Sequence, residues 1–355
     1  MRPCIRYGVI SASNMARSHM RAIRDNPNAR LAAVCDLDLA KAQSAAEQFG
    51  AGQVYQDYRQ LLDDDAIDAV VVCTPDQLHR EMTVAALTRG KHVLCEKPMA
   101  LTVDDCQAMI AAERAGQARL MIGQICRYTP GFVAAKCLIE QGEIGELFFV
   151  ESEYAHDYSR IVGSPTADHW RRDPLRHPFL GGGCHAVDLL RWIAGNPTEV
   201  TAYANRKMLR DMPTDDCTIA IYKFPDDVIG KVFVSIGCKR SYTMRSVFYG
   251  SKGTIIADNT TPHLTLFKDG FAAADGLFDL AASHTVPVLL PVSLNNHNTS
   301  GEIDDFTRCL LQGSDVTTSS VEGASTVEAC LGAVRSAETG TPVTLQYAHL
   351  QGGSL

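Results

Sequence analysis

The first third of the chain alternates short apolar runs with stretches whose apolar residues recur at helical spacing. This alternation is the signature of parallel βαβ units. Gly50 and Gly90 stand where two of the helices should end. The pattern predicts an α/β, Rossmann-type domain with a parallel sheet over residues 1–125. Its strands are predicted at residues 6–10, 31–35, 69–73, 92–95 and 120–122, and its helices at 15–24, 38–49, 77–89 and 103–115.

After residue 125 the period changes from helical to alternating. Apolar and polar residues alternate, as in the strands of an antiparallel sheet with one solvated face. We expect an α+β domain over residues 126–355, built on an open, mostly antiparallel sheet that serves substrate binding and oligomerisation. The predicted strands are 146–154, 199–208, 217–224, 229–238 and 244–249, the closing helices 302–311 and 321–338, and the long loops 163–173 and 272–291.

Composition narrows the class of protein. The 355 residues are 46% hydrophobic and 21% charged, with a net charge of −8, which argues against nucleic acid or an anionic membrane as main partner. A strand pattern begins almost at residue 1, so we expect no signal peptide and a cytoplasmic location. The 12 cysteines form no C-x-x-C motif and are expected to be reduced thiols. We predict no metal site, because the histidines and cysteines lack the usual ligand spacing.

The turn after the first predicted strand is the first candidate for chemistry. A dinucleotide-binding turn reads G-x-G-x-x-G and presents backbone N–H groups to a pyrophosphate at a helix N-terminus. Here Ser11, Ser13 and Ala16 hold the glycine places, with Asn14 and Met15 between them. Ser13 adds a hydroxyl that can donate to phosphate, whereas Ser11 must carry a side chain where positive φ is expected.

Asp36 ends the second predicted strand, where a carboxylate accepts hydrogen bonds from the adenosine ribose. A carboxylate there repels a 2′-phosphate, and the nearest basic residue downstream is Lys41, so NAD is favoured over NADP. The alternative interpretation is that Asp36 caps the helix that starts near Leu39.

Further motifs make the chain resemble the Gfo/Idh/MocA family, which includes glucose–fructose oxidoreductase and inositol 2-dehydrogenase. They are Val-Val-Val-Cys-Thr-Pro-Asp-Gln-Leu-His at residues 70–79 and Gly-Lys-His-Val-Leu-Cys-Glu-Lys-Pro at 90–98. The likeness continues through residues 127–130, 142–145, 181–188 and 253–254, and so spans nearly the whole chain.

The resemblance implies a Rossmann domain followed by a domain with an open, largely antiparallel sheet. It also implies tightly held NAD(P), redox chemistry at a secondary alcohol of a sugar or cyclic polyol, and homodimers or homotetramers formed through the sheet. By the same likeness Thr74, Pro75 and His79 line the path from adenosine to nicotinamide, and Glu96 and Lys97 lie at the nicotinamide.

Two residues are candidates for the base that removes the hydroxyl proton as hydride leaves. Lys97 ends a parallel strand, where such folds bind ligands, and oxidised nicotinamide would lower the pKa of its ammonium, with Glu96 as counter-charge. His185 follows three glycines in the first turn of a predicted helix at residues 184–194. The helix dipole there favours the neutral imidazole that a base requires, and Asp188 could orient the ring.

The chain departs from the family at one position. Family members often read Asp-x-Gly-x-His-x-x-Asp, whereas Gly181 replaces the first Asp here. The change puts the ordinary proton relay in doubt and is expected to enlarge the pocket, with His156-Asp157 or Asp168 as substitutes. The full set of predicted substrate-binding residues is Arg127, Tyr128, His156, Asp157, Trp170, Arg171, Arg172 and Asp188.

Three functions remain open from the sequence. The leading one is an NAD-dependent dehydrogenase that oxidises a ring hydroxyl of a sugar, glycoside or cyclic polyol. The second is an NAD-dependent glycosidase or lyase that oxidises C3 transiently and eliminates the aglycone. The third is a non-catalytic sensor of NAD or sugar that regulates a partner, against which Lys97 and His185 argue.

Overall fold

A computed structural model describes residues 4–163, 169–268 and 287–351. The strands are β1 (Ile5–Ile10), β2 (Ala29–Cys35), β3 (Gln53–Tyr55), β4 (Ala69–Val72), β5 (His92–Glu96), β6 (Leu120–Gly123), β7 (Leu147–Ala155), β8 (Glu199–Asn205), β9 (Cys217–Lys223), β10 (Ile229–Ser235), β11 (Thr243–Gly250), β12 (Gly253–Asp258), β13 (His263–Lys268), β14 (Val288–Pro291) and β15 (Val343–Thr344). The helices are α1 (Asn14–Asp25), α2 (Leu39–Phe49), α3 (Tyr58–Leu62), α4 (His79–Thr88), α5 (Val103–Arg114), α6 (Pro130–Glu140), α7 (Pro178–Gly181), α8 (Cys184–Ala194), α9 (Thr299–Gln312), α10 (Ser320–Thr339) and α11 (Ala348–Gln351).

The described residues divide into two compact units. Unit one holds the chain up to Ile125, Asn298–Glu328 and the residues from Tyr347 onward, and unit two holds Cys126–His297 and Ala329–Gln346. Among the described helices none is long and apolar enough to cross a membrane.

Unit one contains a sheet of six described strands in the order β3-β2-β1-β4-β5-β6, all parallel. The predicted Rossmann-type α/β fold is confirmed. Its central strands are buried on both faces, because helices cover a parallel sheet on each side, and Val70, Val71 and Val72 are fully inaccessible. The carboxyl ends of β1, β2, β4 and β5 therefore meet at one edge.

Helix α9 lies in unit one, although the sequence pattern places residues 298–328 in the second domain. The Tyr7 hydroxyl of β1 is 2.8 Å from the Thr307 hydroxyl, and the rings of Tyr7 and Phe306 lie 6.3 Å apart. These contacts bury an aromatic pair between α9 and the first strand, which no local pattern could reveal.

Unit two is built on nine described strands in the order β14-β13-β12-β11-β7-β10-β9-β8-β15. Every pair is antiparallel except β7 with β10, so the expected open, mostly antiparallel sheet is confirmed. Helix α6 and strands β12 to β14 were not predicted. Of the two predicted loops, residues 164–168 and 272–286 lie outside the described residues, and Val288–Pro291 forms a strand.

Candidate functional site

The turn after β1 is strained where the sequence indicated. Ser11 adopts φ +110°, a conformation that costs a non-glycine residue about 1–3 kcal/mol. Its hydroxyl accepts the Ser13 N–H at 3.0 Å, which offsets part of that cost. Ser13 in turn is the N-cap of α1, accepting the Ala16 N–H at 3.5 Å, and Asn14 and Met15 begin the helix. The turn thus presents the positive end of α1 at the carboxyl edge of the sheet.

Asp36 ties the first two strand ends together. Its carboxylate accepts the Ala12 N–H at 2.7 Å and the Asp38 N–H at 2.9 Å. The N-cap of α2 is Asp38, whose side chain accepts from Ala40 and Lys41, so the alternative role of Asp36 as the helix cap is wrong. A carboxylate has room for more than two hydrogen bonds, so Asp36 can still accept from a ligand.

Asp36 lines a crevice of about 750 Å³ within unit one, a size typical of ligand sites. Ser11, Thr74 and Pro75 also line it, so the structure brings four of the predicted cofactor-binding residues together. Arg59, which belongs to none of the motifs in the sequence, lies in the same crevice. Its guanidinium is 2.9 Å from Glu81 and 3.4 Å from Asp57, and it covers the ring of Tyr58 at 4.6 Å. The Arg59 guanidinium is thus paired with carboxylates, whereas an arginine that binds a ligand phosphate would direct its N–H groups to the phosphate.

His79 lies beneath the crevice rather than on its wall. The side chain is fully buried, with Nδ1 2.9 Å from the Pro98 carbonyl and Nε2 3.1 Å from the Thr74 carbonyl. Burial lowers the pKa of His79, but Cys95, Asp76 and the Pro98 carbonyl outweigh it and raise the pKa to about 10. Both ring nitrogens can then donate, so His79 fastens the segment after β4 to the segment after β5.

Glu96 ends β5, and Lys97 follows it directly. Glu96 is 7% exposed, and its carboxylate is 2.8 Å from Nε2 of His19 and accepts the Lys97 N–H at 3.2 Å. Burial disfavours the charged carboxylate, yet His19 and Lys97 more than compensate and lower the pKa of Glu96. Lys97 is partly buried and precedes the cis proline Pro98. An anion is therefore held next to the Lys97 backbone.

In unit two, close contacts explain the glycines before His185. A Cβ on Gly182 would lie 2.5 Å from the ring of Tyr154, and one on Gly183 would lie 2.5 Å from the Phe179 carbonyl. His185 is 2% exposed in the first turn of α8, and its ring stacks on that of Tyr154 with centroids 6.4 Å apart. The predicted helix at residues 184–194 is confirmed.

Gly181 does not open the pocket. The guanidinium of Arg176 occupies the space that a side chain there would need, since a Cβ on Gly181 would lie 2.4 Å from Arg176 Nη1. Arg176 is buried and lies over the ring of Trp170 at 4.6 Å. The expectation of an enlarged pocket is therefore wrong, because a residue five positions upstream fills it. Asp168, one proposed substitute for the missing carboxylate, lies outside the described residues.

Tyr154 connects His185 to the other proposed substitutes. Its hydroxyl is 2.9 Å from that of Tyr158 and 3.3 Å from Nδ1 of His156. Burial, followed by Tyr158, raises the pKa of Tyr154, so it remains a neutral phenol. Burial and Arg171 lower the pKa of His156, which keeps that imidazole neutral.

Asp157 is a poor candidate for a base. It lies beside His156 on an open cavity of about 500 Å³ within unit two. Hydrogen bonds from Ser159 and the ammonium of Lys239, 3.2 Å away, lower the pKa of Asp157 to about 2.

The remaining predicted substrate residues form two groups. Arg171 lies over the Trp170 ring at 4.1 Å, whereas Arg172 donates to the Asp211 carbonyl and so fixes its own segment. Arg127 donates from Nε and Nη2 to the two oxygens of Asp188, both at 2.7 Å. Because that ion pair is buried, its role is structural. Tyr128, the residue after Arg127, is partly exposed.

Comparisons with known proteins agree with these two units. Residues 5–124 match the oxidoreductase family with an NAD-binding Rossmann fold, and residues 132–256 match the Gfo/Idh/MocA C-terminal domain. Inositol 2-dehydrogenase 2 of Saccharopolyspora erythraea is 31% identical over 252 residues, covering 70% of this chain and 71% of that protein.

Two further relatives extend the match over nearly the whole chain. Inositol 2-dehydrogenase of Rhizobium meliloti is 28% identical over 94% of this chain and 96% of its own. A structure of levoglucosan dehydrogenase with NADH and levoglucosan has a TM-score of 0.85 at 23% identity, over 97% of this chain and 99% of that one, and shows the shared fold. The chain belongs to the Gfo/Idh/MocA family of oxidoreductases with an NAD-binding Rossmann fold.

Proposed function

We propose that the protein is an NAD-dependent dehydrogenase that oxidises a secondary ring hydroxyl of a sugar, glycoside or cyclic polyol. The observation that carries the proposal is the end of β5, where a buried, ionised Glu96 adjoins Lys97 at the ligand-binding edge of the parallel sheet. The names of the inositol 2-dehydrogenases support a polyol or sugar as substrate.

The chemistry divides between the cofactor and the chain. Bound NAD supplies the hydride acceptor. Lys97 would orient the substrate hydroxyl through its ammonium, and Glu96 would balance that charge. His185, in the first turn of α8, would serve as the base that takes up the hydroxyl proton at an imidazole nitrogen. Tyr154, which stacks on His185, would hold the ring in place.

We propose NAD rather than NADP as the cofactor. Asp36 places a negative charge in the crevice, and the arginine that lines the same crevice is paired with Glu81 and Asp57. A 2′-phosphate would meet a carboxylate and no unpaired arginine among the lining residues described.

Replacing Asp36 with alanine is expected to weaken NAD binding by one to two orders of magnitude. The reason is that a charge-assisted hydrogen bond contributes about 1.5–3 kcal/mol. Isothermal titration with NAD measures the change. Asp38→Ala is the matched control, because Asp38 caps α2, and its loss should lower stability by about 1 kcal/mol with unchanged NAD affinity. Equal NAD affinity in Asp36→Ala and the wild type would remove Asp36 from the site.

His185→Ala is expected to lower kcat by about 100-fold or more with little effect on NAD affinity, since it removes the proposed base. The measurement is the pH dependence of kcat, in which the variant should lose the limb that reports the imidazole. His263→Ala, in β13 of the same unit, serves as control and should keep the wild-type profile. A wild-type profile in His185→Ala would exclude His185 as the base.

A substrate screen tests the reaction class. Inositols, free sugars and aryl glycosides are incubated with NAD, and NADH and the product are followed by absorbance and NMR. NADH formation with a ketone product supports the dehydrogenase. Aglycone release with catalytic NAD would replace it by the lyase, an alternative weakened by Arg176 in the space beside Gly181. Binding without any turnover would indicate a sensor.

We also propose that the protein forms homodimers or homotetramers through the sheet of unit two. One face of that sheet exposes large apolar side chains, which usually mark an interface. They are Phe148, Tyr203, Ile219, Ile221 and Ile229. Ile221→Lys should shift the mass in sedimentation equilibrium toward the monomer, and a wild-type protein that is already monomeric would contradict the proposal.

A further inference from the structure

A carboxyl group that the proposed chemistry does not use lies beneath β5. Glu302, in the first turn of α9, is fully inaccessible to solvent. Its Oε2 lies 3.8 Å from Nε2 of His19. Its Oε1 lies 3.4 Å from the point that a Cβ atom would occupy if Gly123, at the end of β6, carried a side chain. Glu302 thus packs against α1 and β6 of unit one.

Neither carboxyl oxygen of Glu302 has a hydrogen-bond partner among the described residues. The single Nε2–H of His19 is already directed to Glu96 at 2.8 Å, the shorter of its two carboxyl contacts. Nδ1 of His19 likewise has no partner in the described part of the chain. Glu302 therefore receives no hydrogen bond that would stabilise an anion.

The charges that act on Glu302 also disfavour ionisation. Burial, followed by the negative charges of Glu96 and Asp305, raises the pKa of Glu302 well above its ordinary value. Glu96, by contrast, is hydrogen-bonded to His19 and to the Lys97 N–H. Of two adjacent carboxyl groups in such different surroundings, one should be ionised and the other protonated. The ionised group should be Glu96 and the protonated group Glu302.

A metal ion does not explain the cluster. Donor atoms of His19, Cys73 and Glu96 lie within 4.8 Å of one another. However, the His19 and Glu96 atoms are separated by the length of one hydrogen bond, 2.8 Å. Two nitrogen or oxygen ligands about 2.0 Å from a tetrahedral zinc ion lie roughly 3.3 Å apart.

We propose that Glu302 is held as a neutral carboxylic acid and acts as the positioning residue that leaves Glu96 the one anion beneath Lys97. The proton on Glu302 keeps a second negative charge away from Glu96, so that Glu96 retains its hydrogen bonds to His19 and to the Lys97 N–H. The inference rests on the proposed function only where it concerns turnover.

The state of Glu302 can be measured without substrate or cofactor. An infrared spectrum of the wild type at neutral pH should contain the carbonyl band of a buried carboxylic acid, which should be missing in Glu302→Gln. Glu113→Gln is the matched control, because the Glu113 carboxylate accepts the Leu120 N–H and the Ser320 hydroxyl. That control should retain the band. A wild-type spectrum without it, identical to that of Glu302→Gln, would overturn the proposal.

The pH dependence of the melting temperature provides a second test, and the direction of the expected change is known. The carboxyl of the unfolded chain ionises near its ordinary pKa, whereas folded Glu302 keeps its proton, so the wild type loses stability as pH rises between the two values. Glutamine does not titrate. The Tm of Glu302→Gln minus that of the wild type should therefore increase by roughly 2 °C per pH unit above about pH 5. A difference that stays constant or falls with pH would contradict a neutral Glu302.

The positioning role is tested by the pH profile of turnover. Glu302→Gln should keep kcat within about threefold of the wild type at neutral pH, because glutamine mimics the neutral acid. Its alkaline limb should move upward by at least about one pH unit, since no second anion can form. Superimposable profiles would show that Glu302 is structural only. Loss of turnover in the wild type itself, with the infrared band present, would sink the proposed function and leave the protonation state intact.

Discussion

Lys97→Met is expected to lower kcat by about 10²- to 10³-fold, because it removes the ammonium that orients the reacting hydroxyl and stabilises the negative charge that develops on its oxygen. Methionine keeps most of the apolar stem of lysine and removes the ammonium. The partly buried side chain at position 97 should therefore still pack. The rate should fall at saturating NAD and substrate, because the lost interaction belongs to the reacting hydroxyl rather than to cofactor binding. Steady-state kinetics with NADH detection measures the change.

Lys41→Met is the matched control for that experiment. Lys41 lies in the same unit, is exposed and pairs with Asp38 at 3.4 Å, so its replacement should change kcat by less than about twofold. Glu96→Gln separates the two members of the motif, because it keeps the Lys97 ammonium and removes its counter-charge. Full activity in Lys97→Met would show that the chain catalyses hydride transfer without this lysine.

Arg127→Ala is expected to lower the free energy of unfolding by about 3 kcal/mol, because it breaks a buried ion pair and leaves Asp188 with the longer contact to Arg191, at 3.8 Å. Arg127 and Asp188 are nearly inaccessible and joined by two hydrogen bonds of 2.7 Å. The Arg127 guanidinium also lies 5.8 Å from the centre of the Trp192 ring, and that contact would be lost as well. Urea denaturation followed by circular dichroism measures the change.

An exposed ion pair of the same unit supplies the comparison. Lys223 lies 2.6 Å from Glu199 in neighbouring strands, with its side chain 68% exposed, so Lys223→Ala should cost no more than about 1 kcal/mol. The double variant Arg127→Ala, Asp188→Ala should be less destabilised than the sum of the single variants, because it removes both charges together. A loss below 1 kcal/mol in Arg127→Ala would contradict a structural role.

Local patterns predicted the elements that frame the candidate site. Apolar runs gave the parallel strands, and Gly50 ends α2 at φ +79° as expected of a helix stop. The positive φ of Ser11 also followed from its place in the turn. These features depend on neighbours in the sequence, which is why a single chain is enough to predict them.

The features that the sequence did not reveal depend on distant contacts. His19 and Glu96 are 77 residues apart in sequence and 2.8 Å apart in space, and Glu302 comes from a helix that the pattern had placed in the other domain. Arg176 fills the space beside Gly181 because of how its side chain folds back, not because of any motif. The role of Asp38 as the N-cap of α2 was not predicted, because it depends on the backbone conformation and hydrogen bonds of the turn.

A crystal structure of the protein grown with saturating NAD tests the central claim most directly. We predict a dinucleotide at the carboxyl edge of the unit-one sheet, with its ribose hydroxyls on Asp36, its pyrophosphate at the start of α1 and the Lys97 Nζ beside the nicotinamide ring. A crevice that stays empty, or a nicotinamide far from Lys97, would contradict the account.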